Sequence, residues 1–217
     1  MKNTIVLIDN GHGENTPGKC SPDRRLLEWK YTRDIAQDVE RELREKGVDA
    51  RRIVTEDKDV SLPQRCERVN QYCYRHGKGN VVLVSIHVNA AGKEGRWLTA
   101  GGWCAYTSKG ETKSDELAEC LYDAADTHLA EYRDLMLRGK AEGFYDSKQR
   151  PIRMDRADGD RDIEANFTIL YNTLCPAVLT ENLFQDNPWD VEYLFSDKGR
   201  QAIVGLHVDG ILQYLNQ

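Results

Sequence analysis

Two histidines and a glutamate each follow a short apolar stretch of the kind that forms a buried strand. His12 lies between two glycines after the β-branched run 5–8, His87 ends the run 81–87, and Glu181 ends the run 177–181. In open α/β sheets, sites gather at the carboxyl ends of the strands. Because three separate stretches place a chemically active side chain at such an end, we expect His12, His87 and Glu181 to belong to one site.

Two histidines and one carboxylate form a ligand set that zinc takes in hydrolytic sites, with a fourth position left for water. Glu28 follows the His12 loop and would complete this set with His12 and His87, while Glu181 is placed to act as the base. The helical His-Glu-x-x-His motif is absent, so the fold itself has to bring the ligands together. Taken singly, His12 would be interpreted as a histidine in an Asn-Gly turn and Glu28 as a solvated glutamate, and only the other strand ends favour a shared site.

The order of the elements predicts an α/β fold, because apolar strands alternate with amphipathic helices along the chain. A single domain is expected, with a mainly parallel twisted sheet flanked by helices and an active site at the carboxyl ends of the strands, as in phosphorylase/hydrolase-like folds. A first helix is predicted from Ser21-Pro22 to Gly47. Further helices are predicted at 61–75, from Ser114, at 167–174 and at 197–215, and further strands at 48–54 and 103–107.

Composition excludes several classes of protein. The 217 residues fit one domain, and a net charge of −6 argues against nucleic acid as a partner, because phosphate binding needs a basic face. No run is long and apolar enough to span a membrane. The apolar run near the N-terminus is too short for a secretory signal. The chain therefore lacks such a signal or begins after it. Six scattered cysteines without a Cys-x-x-Cys pair suggest free thiols.

Segment 143–164 is crowded with arginine and aspartate and shows little periodicity, which predicts an exposed loop or hairpin. Asp158, Asp160 and Asp162 resemble part of a calcium loop, but the glycine falls at position 159 and no twelve-residue frame closes on a glutamate. Calcium is therefore not expected. We treat the segment as a charged insertion in a catalytic domain that covers 1–217. It is either an element that recognises a charged peptide or a solvated surface excursion.

Three motifs, in order along the chain, resemble those of the Amidase_3 family of zinc-dependent N-acetylmuramoyl-L-alanine amidases. Residues 8–13, Ile-Asp-Asn-Gly-His-Gly, resemble its Asp-Pro-Gly-His-Gly, and residues 85–90, Ser-Ile-His-Val-Asn-Ala, resemble its Ser-Ile-His-Ala-Asn-Ala. Residues 176–187 resemble its Pro-Ala-Val-Leu-x-Glu-x-Gly-Phe-x-x-Asn, and 138–140 match a weaker Arg-Gly-Val-Lys segment. Two departures are Asn10 in place of proline and Leu183 in place of glycine.

The resemblance implies one Zn²⁺ per chain on His12, Glu28 and His87, with Glu181 as the catalytic glutamate. It implies hydrolysis of the amide between N-acetylmuramic acid and the first L-alanine of the peptidoglycan stem. Candidates for contact with the substrate are Asn89, Trp97 and Arg138. Two alternatives stay open, namely a related zinc peptidase that cuts the stem peptide and a catalytically inactive wall-binding module.

The expected partner is peptidoglycan or a muropeptide, with no nucleic acid and no membrane span. The sequence does not define an oligomeric state, and a monomer is the working expectation. A bacterial remodelling enzyme and a phage lysin fit equally well. Either would be made in the cytoplasm and act on the cell wall, through secretion, in the periplasm or on release at lysis.

Overall fold

A computed structural model describes residues 4–92, 95–157 and 159–217, and these residues build one sheet with helices on both faces. The strand order is β2-β1-β3-β6-β4-β5. The strands are β1 (Ile5–Asn10), β2 (Ala50–Arg52), β3 (Val81–Asn89), β4 (Cys104–Thr107), β5 (Ile163–Glu164) and β6 (Ala177–Phe184). Neighbouring strands are parallel except β4 and β6, which are antiparallel. The expected α/β fold with a mainly parallel sheet is confirmed.

Both faces of the sheet are covered by helices. The helices are α1 (Glu28–Glu45), α2 (Leu62–His76), α3 (Lys113–His128), α4 (Ala130–Ala141), α5 (Thr168–Tyr171), α6 (Pro188–Phe195) and α7 (Asp197–Leu215). Val6 and Ile8 belong to a core with α1, α3 and α7, whereas Ile5 and Leu7 belong to a second core with α2 and α5. Because successive side chains point to opposite faces, a strand covered on both sides is apolar throughout, as run 5–8 is.

The central strands bring the candidate residues to one edge. β1, β3 and β6 lie side by side and run in the same direction, so their carboxyl ends meet. Asn10 pairs with Ile86 across β1 and β3, and His87 pairs with Glu181 across β3 and β6. The strand register therefore places the His12 loop, His87 and Glu181 together, although they are 75 to 169 positions apart in sequence.

The first helix begins later than the sequence predicts. Ser21 closes a turn instead of capping a helix, because its hydroxyl and its backbone N–H both hydrogen-bond to Leu26. The Leu26 N–H donates to Ser21 Oγ, and the Ser21 N–H donates to the Leu26 carbonyl. Leu27 is still extended, with φ −103° and ψ 113°. Glu28 is consequently the first residue of α1, which fixes its side chain at the sheet edge.

Other differences from the predicted elements are local. Helix α6 is absent from the sequence-derived set, although Asn187 and Pro188 supply a cap and a first-turn proline. The cap of α3 is Thr112 and not Ser114, since the Thr112 hydroxyl accepts a hydrogen bond from the Ser114 N–H. The helix predicted at 167–174 is only the four residues of α5.

The charged segment 143–164 is not simply an exposed loop. Tyr145, Ile152 and Asp162 are all buried in it. The backbone at Ile152 pairs with Trp103 next to β4, and the segment ends in β5, so it extends the sheet. Asp158, one member of the calcium-like aspartate set, lies outside the described residues. The expectation of an exposed loop or hairpin therefore holds for only part of the segment, because Tyr145 and Ile152 anchor it in the core.

None of the described helices is long and apolar enough to cross a membrane. The six cysteines are free thiols, and all but Cys20 are buried.

Candidate active site

His12, Glu28 and His87 converge at the carboxyl edge of the sheet. Each offers one ligand atom, and these atoms lie within 4.8 Å of one another. Glu28 Oε1 lies 3.5 Å from His12 Nε2 and 3.2 Å from His87 Nδ1. A tetrahedral zinc ion with bonds of about 2.0–2.2 Å separates its ligand atoms by roughly 3.3–3.6 Å. The two distances from Glu28 therefore match what such an ion requires.

A backbone N–H holds one carboxylate oxygen of Glu28, and the other oxygen has no hydrogen-bond donor among the described residues. The side chain is buried, and Oε1 accepts a hydrogen bond of 3.1 Å from the Val88 N–H. Among the described residues, nothing donates to the buried Oε2. Burial acts to raise the pKa of Glu28, but the hydrogen bond and charge of His87 outweigh it, so the pKa lies below its ordinary value. The result is an ionised carboxylate, the form that binds a metal.

The two histidines differ in their protonation. Burial lowers the pKa of His12 to about 4, so at neutral pH this imidazole is uncharged and its nitrogen can act as a ligand. Burial also acts to lower the pKa of His87, but the hydrogen bond with Glu28 outweighs it and the pKa is raised. A metal must displace that proton, and metal binding at this group should therefore weaken as the solution becomes acidic.

The glycines on either side of His12 are required by close contacts. A β-carbon at Gly11 would lie 2.5 Å from His87 Nδ1, and one at Gly13 would lie 2.0 Å from the Asp59 backbone nitrogen. His12 itself has φ +61°, in the left-handed region of backbone conformation that few residues other than glycine adopt. The sequence Gly-His-Gly thus allows the loop to pass beneath His87 and to present the His12 ring.

Two buried arginines hold this strained loop through hydrogen bonds to its backbone. Arg33 of α1 and Arg65 of α2 each donate a hydrogen bond of 3.0 Å to the carbonyl oxygen of His12. Arg65 also donates to the Asn10 carbonyl and to Asp9 Oδ1, both at 2.6 Å. Asp9 Oδ2 accepts from Ser85, which links β1 to β3. Sequence reasoning missed both arginines, and the only available signal was a charged residue beside the apolar stripe of each helix.

Glu181 lies beside His87, one of the three residues that could hold a metal ion. It faces His87 across β3 and β6, and its Oε2 is buried without a hydrogen-bond donor among the described residues. Burial raises the pKa of Glu181 to about 7; His87 opposes this shift and the charge of Glu28 adds to it. A carboxyl group with a pKa near neutrality can both accept and return a proton, which is what a general base needs.

The three candidates for substrate contact lie further out. Asn89 ends β3, where its own side chain accepts a hydrogen bond from the Ala90 N–H. Trp97 is 39% exposed on the connection between β3 and β4, and Arg138 is exposed on α4. Within the described part of the chain, no hydrogen bond or ion pair joins these side chains to His12, Glu28 or His87.

Comparison with known proteins shows similarity over the whole chain. The family profile Amidase_3, described as N-acetylmuramoyl-L-alanine amidase, matches residues 6–213. The N-acetylmuramoyl-L-alanine amidase CwlM of Bacillus licheniformis is 27% identical over 97% of this chain, and the probable cell wall amidase LytH of Staphylococcus epidermidis is 26% identical over 100% of it. The chain spans 68% and 60% of the lengths of these two relatives.

A solved structure shares the fold from end to end. The crystal structure of an N-acetylmuramoyl-L-alanine amidase from Clostridium difficile 630 superposes with a TM-score of 0.74 at 25% identity. The match covers 100% of this chain and 99% of that one. The similarity therefore extends to the sheet and to all of the helices around the candidate site.

Proposed function

Since the chain belongs to the Amidase_3 family of N-acetylmuramoyl-L-alanine amidases, we propose that it hydrolyses the amide between N-acetylmuramic acid and L-alanine in peptidoglycan, with one zinc ion bound. The observation that carries this proposal is the convergence of His12, Glu28 and His87 within 4.8 Å, beside Glu181. Two imidazoles, one carboxylate and a separate base are the set that zinc-dependent amide hydrolysis needs.

His12, Glu28 and His87 would hold the zinc ion, and three properties of the chain suit them to it. His12 is uncharged, Glu28 is ionised, and one Glu28 oxygen is buried without a donor among the described residues. When bound, zinc would make water more acidic and polarise the carbonyl that is attacked. The sheet edge keeps the three ligands fixed, since two lie on or beside adjacent strands and the third opens α1.

Glu181 would move the proton in this reaction. The attacking water gives one proton to the Glu181 carboxylate as its oxygen bonds to the amide carbon. The carbon–nitrogen bond then breaks, and Glu181 passes the proton to the departing nitrogen of L-alanine. A pKa of about 7 allows both transfers near neutral pH, because neither protonation state is strongly favoured.

Action on the cell wall is part of the same proposal. It is supported by the names of the relatives, a cell wall amidase and N-acetylmuramoyl-L-alanine amidases. The 143–164 segment would belong to this single catalytic domain. Asn89, Trp97 and Arg138 remain candidates for contact with the substrate.

A defined muropeptide tests the function. The zinc-loaded protein should convert N-acetylmuramoyl-tripeptide to free N-acetylmuramic acid and a tripeptide with a free L-alanine amino group, which mass spectrometry resolves. Protein carrying Glu181→Gln serves as the control for the base. Cleavage within the stem would instead identify a peptidase, and absence of any product with zinc bound would identify a binding module.

A further inference from the structure

Two buried cysteines meet at the amino edge of the sheet, away from the candidate active site at the carboxyl edge. Cys73 lies near the end of α2 and is 2% exposed, whereas Cys175 lies two residues before β6 and is 7% exposed. Both belong to the same apolar core. They are 102 positions apart in the chain and form no Cys-x-x-Cys motif, so only the fold brings them together.

Hydrogen bonds of Asn70 hold the segment before β6 against α2. Asn70 lies one turn before Cys73 on this helix. Its side-chain nitrogen donates to the Asn172 carbonyl at 2.9 Å, and its side-chain oxygen accepts from the Leu174 N–H at 2.9 Å. The chain is thus fixed to the helix immediately before Cys175, which places the two cysteines next to each other.

The two thiols are in contact. The Cys175 thiol donates a hydrogen bond to the Cys73 sulfur, and this bond lowers the pKa of Cys73 although burial opposes the shift. The same bond, together with burial, raises the pKa of Cys175. The positive charge of Lys78 also acts to lower the pKa of Cys73. Because oxidants attack the thiolate form of cysteine, Cys73 is the more reactive of the two.

A groove of about 490 Å³ gives access to this pair. Cys175 lines it, together with the flanking residues 173–176. Lys78, Lys109 and Lys113 also line the groove, and none of the described lining residues is acidic. A small oxidant can therefore reach the thiols from this side without unfolding of the core.

Other buried cysteines have different partners. Cys66 lies on the same face of α2, two turns before Cys73, and its thiol donates to the Thr168 carbonyl at 3.5 Å. The sulfur of Cys120 accepts from Gln217 Nε2 at 3.1 Å. Neither of these partners is a thiol, whereas the partner of Cys73 is a second cysteine.

We propose that Cys73 and Cys175 form a site of oxidative modification, at which hydrogen peroxide converts the two thiols into a disulfide. Two S–H bonds and the O–O bond of the peroxide break, one S–S bond forms, and two molecules of water leave. The thiols supply the two electrons that reduce the peroxide. The new bond ties α2, whose Arg65 supports the His12 loop, to the strand that carries Glu181. The proposal does not depend on the amidase function.

The test exposes reduced, zinc-loaded protein to hydrogen peroxide, after which the remaining thiols are alkylated in urea and the tryptic peptides are mapped by mass spectrometry. Trypsin cleaves after Arg68, so Cys66 and Cys73 fall on different peptides. We expect a linked pair of peptides that contains Cys73 and Cys175 and separates on reduction with dithiothreitol. The melting temperature should rise by about 5–15 °C, because a disulfide across so long a segment restricts the unfolded chain.

Cys66 provides the matched control. Cys66→Ser removes a buried thiol from the same face of the same helix and should leave the linkage and the rise in melting temperature intact. Cys73→Ser and Cys175→Ser should each abolish both effects, with every variant compared with its own untreated form. If the last two variants fail to fold, the peptide map of the unaltered chain decides alone.

Three outcomes would overturn the proposal. One is recovery of Cys73 and Cys175 as alkylated thiols from folded protein, under conditions that oxidise the partly exposed Cys20. Another is a linkage that forms only when urea is present during oxidation. The third is a linkage that leaves the melting temperature unchanged. None of these bears on the amidase function, which is measured with reduced protein by hydrolysis of a muropeptide.

Discussion

Glu181 combines two properties that a proton-transferring group needs. It lies opposite His87 on the adjacent strand, and burial raises its pKa to about 7. Its Oε2 is buried and free of hydrogen-bond donors among the described residues. The side chain is therefore held close to His87 while one oxygen stays available for a proton.

Under the proposed mechanism, replacing Glu181 should lower turnover and leave a bound zinc ion in place. Glu181→Gln keeps the size of the side chain but removes its basicity, and we expect kcat to fall by about 10²–10⁴-fold. Zinc content, measured by mass spectrometry, should remain one per chain. Glu192→Gln, at an exposed position, is the control. Loss of zinc from the Glu181 variant would make Glu181 a ligand, and near-normal turnover would place the base elsewhere.

Glu28 allows a second test at this scale. In Glu28→Gln the side-chain oxygen can still accept from the Val88 N–H, so the local structure should persist while the charge at the metal is lost. We expect zinc affinity to fall at least about tenfold, because loss of a residue that only orients metal ligands already has an effect of that size. Chelator competition measures the affinity. Unchanged affinity, or full turnover by metal-free protein, would contradict the zinc site.

The candidate site residues predicted from the sequence are those that a local pattern marks. His12, His87 and Glu181 each follow an apolar run, and a strand end is visible in a linear sequence. Arg33 and Arg65 were missed because an arginine on an amphipathic helix ordinarily points to solvent. Their common partner, the His12 carbonyl, is 21 and 53 positions away and becomes visible only in the folded chain.

At the scale of the elements, α1 and α2 support the loop that follows β1. Arg65→Lys keeps a positive charge near Asp9 but cannot reach the Asp9 carboxylate and both carbonyls at once. We expect zinc affinity to fall about 10- to 100-fold, because residues that orient metal ligands have effects of that size. The His12 backbone, with φ +61°, would relax without this support.

Chelator competition and circular dichroism together give the measurement for Arg65→Lys. Arg68→Lys is the matched control, because Arg68 lies on the same helix and binds Glu56 and the Ile53 carbonyl instead of the His12 loop. A folded Arg65 variant with unchanged zinc affinity would show that the arginine serves only the stability of α2.

A buried histidine couples α7 to the strand that carries Glu181. His207 donates from Nδ1 to the Ile203 carbonyl at 2.7 Å, so Nε2 must accept from the Thr180 hydroxyl at 2.8 Å. Burial lowers the pKa of His207 to about 4, below its ordinary value of 6.5. The neutral form therefore stabilises the fold above pH 6.5, and this contribution is lost as the pH falls through about 4.

The pH dependence of unfolding tests this assignment. Between pH 7 and pH 5, His207 should account for about 1–2 kcal/mol of lost unfolding free energy. That part of the loss should be missing in His207→Gln, as measured by urea denaturation at both pH values. His76→Gln, at an exposed position of α2, should leave the difference between the two pH values as it is in the unaltered chain. An unchanged difference in the His207 variant would refute the assignment.

For the molecule as a whole, alternation of apolar strands and amphipathic helices was enough to predict the fold class. The mainly parallel direction of the strands and the helices that flank the sheet followed from that pattern, since uniformly apolar strands belong inside a sheet. The antiparallel direction of β4 and the buried part of 143–164 did not follow. Both depend on contacts between distant segments, such as Ile152 with Trp103, and such contacts produce no periodic pattern of apolar residues in the sequence.

The 143–164 segment is joined to the core through a buried carboxylate. The Tyr145 hydroxyl donates to Asp190 Oδ1 at 2.6 Å, and the Tyr132 hydroxyl of α4 donates to the same oxygen at 2.7 Å. The other Asp190 oxygen accepts from the N–H of Phe184, the last residue of β6. The segment therefore helps to fix the strand that carries Glu181.

Because of this connection, we expect deletions and substitutions in the 143–164 segment to lower the stability of the fold. Replacing 143–164 by a short Gly-Ser linker removes the buried Tyr145, Ile152 and Asp162, and we expect loss of cooperative thermal unfolding. Tyr145→Phe is milder, because it removes one hydrogen bond to a carboxylate and should lower the unfolding free energy by about 1–3 kcal/mol. Tyr171→Phe, at a position 68% exposed, is the control and should change the unfolding free energy little. A shortened chain that unfolds cooperatively at the original temperature would show that the segment is a dispensable surface excursion.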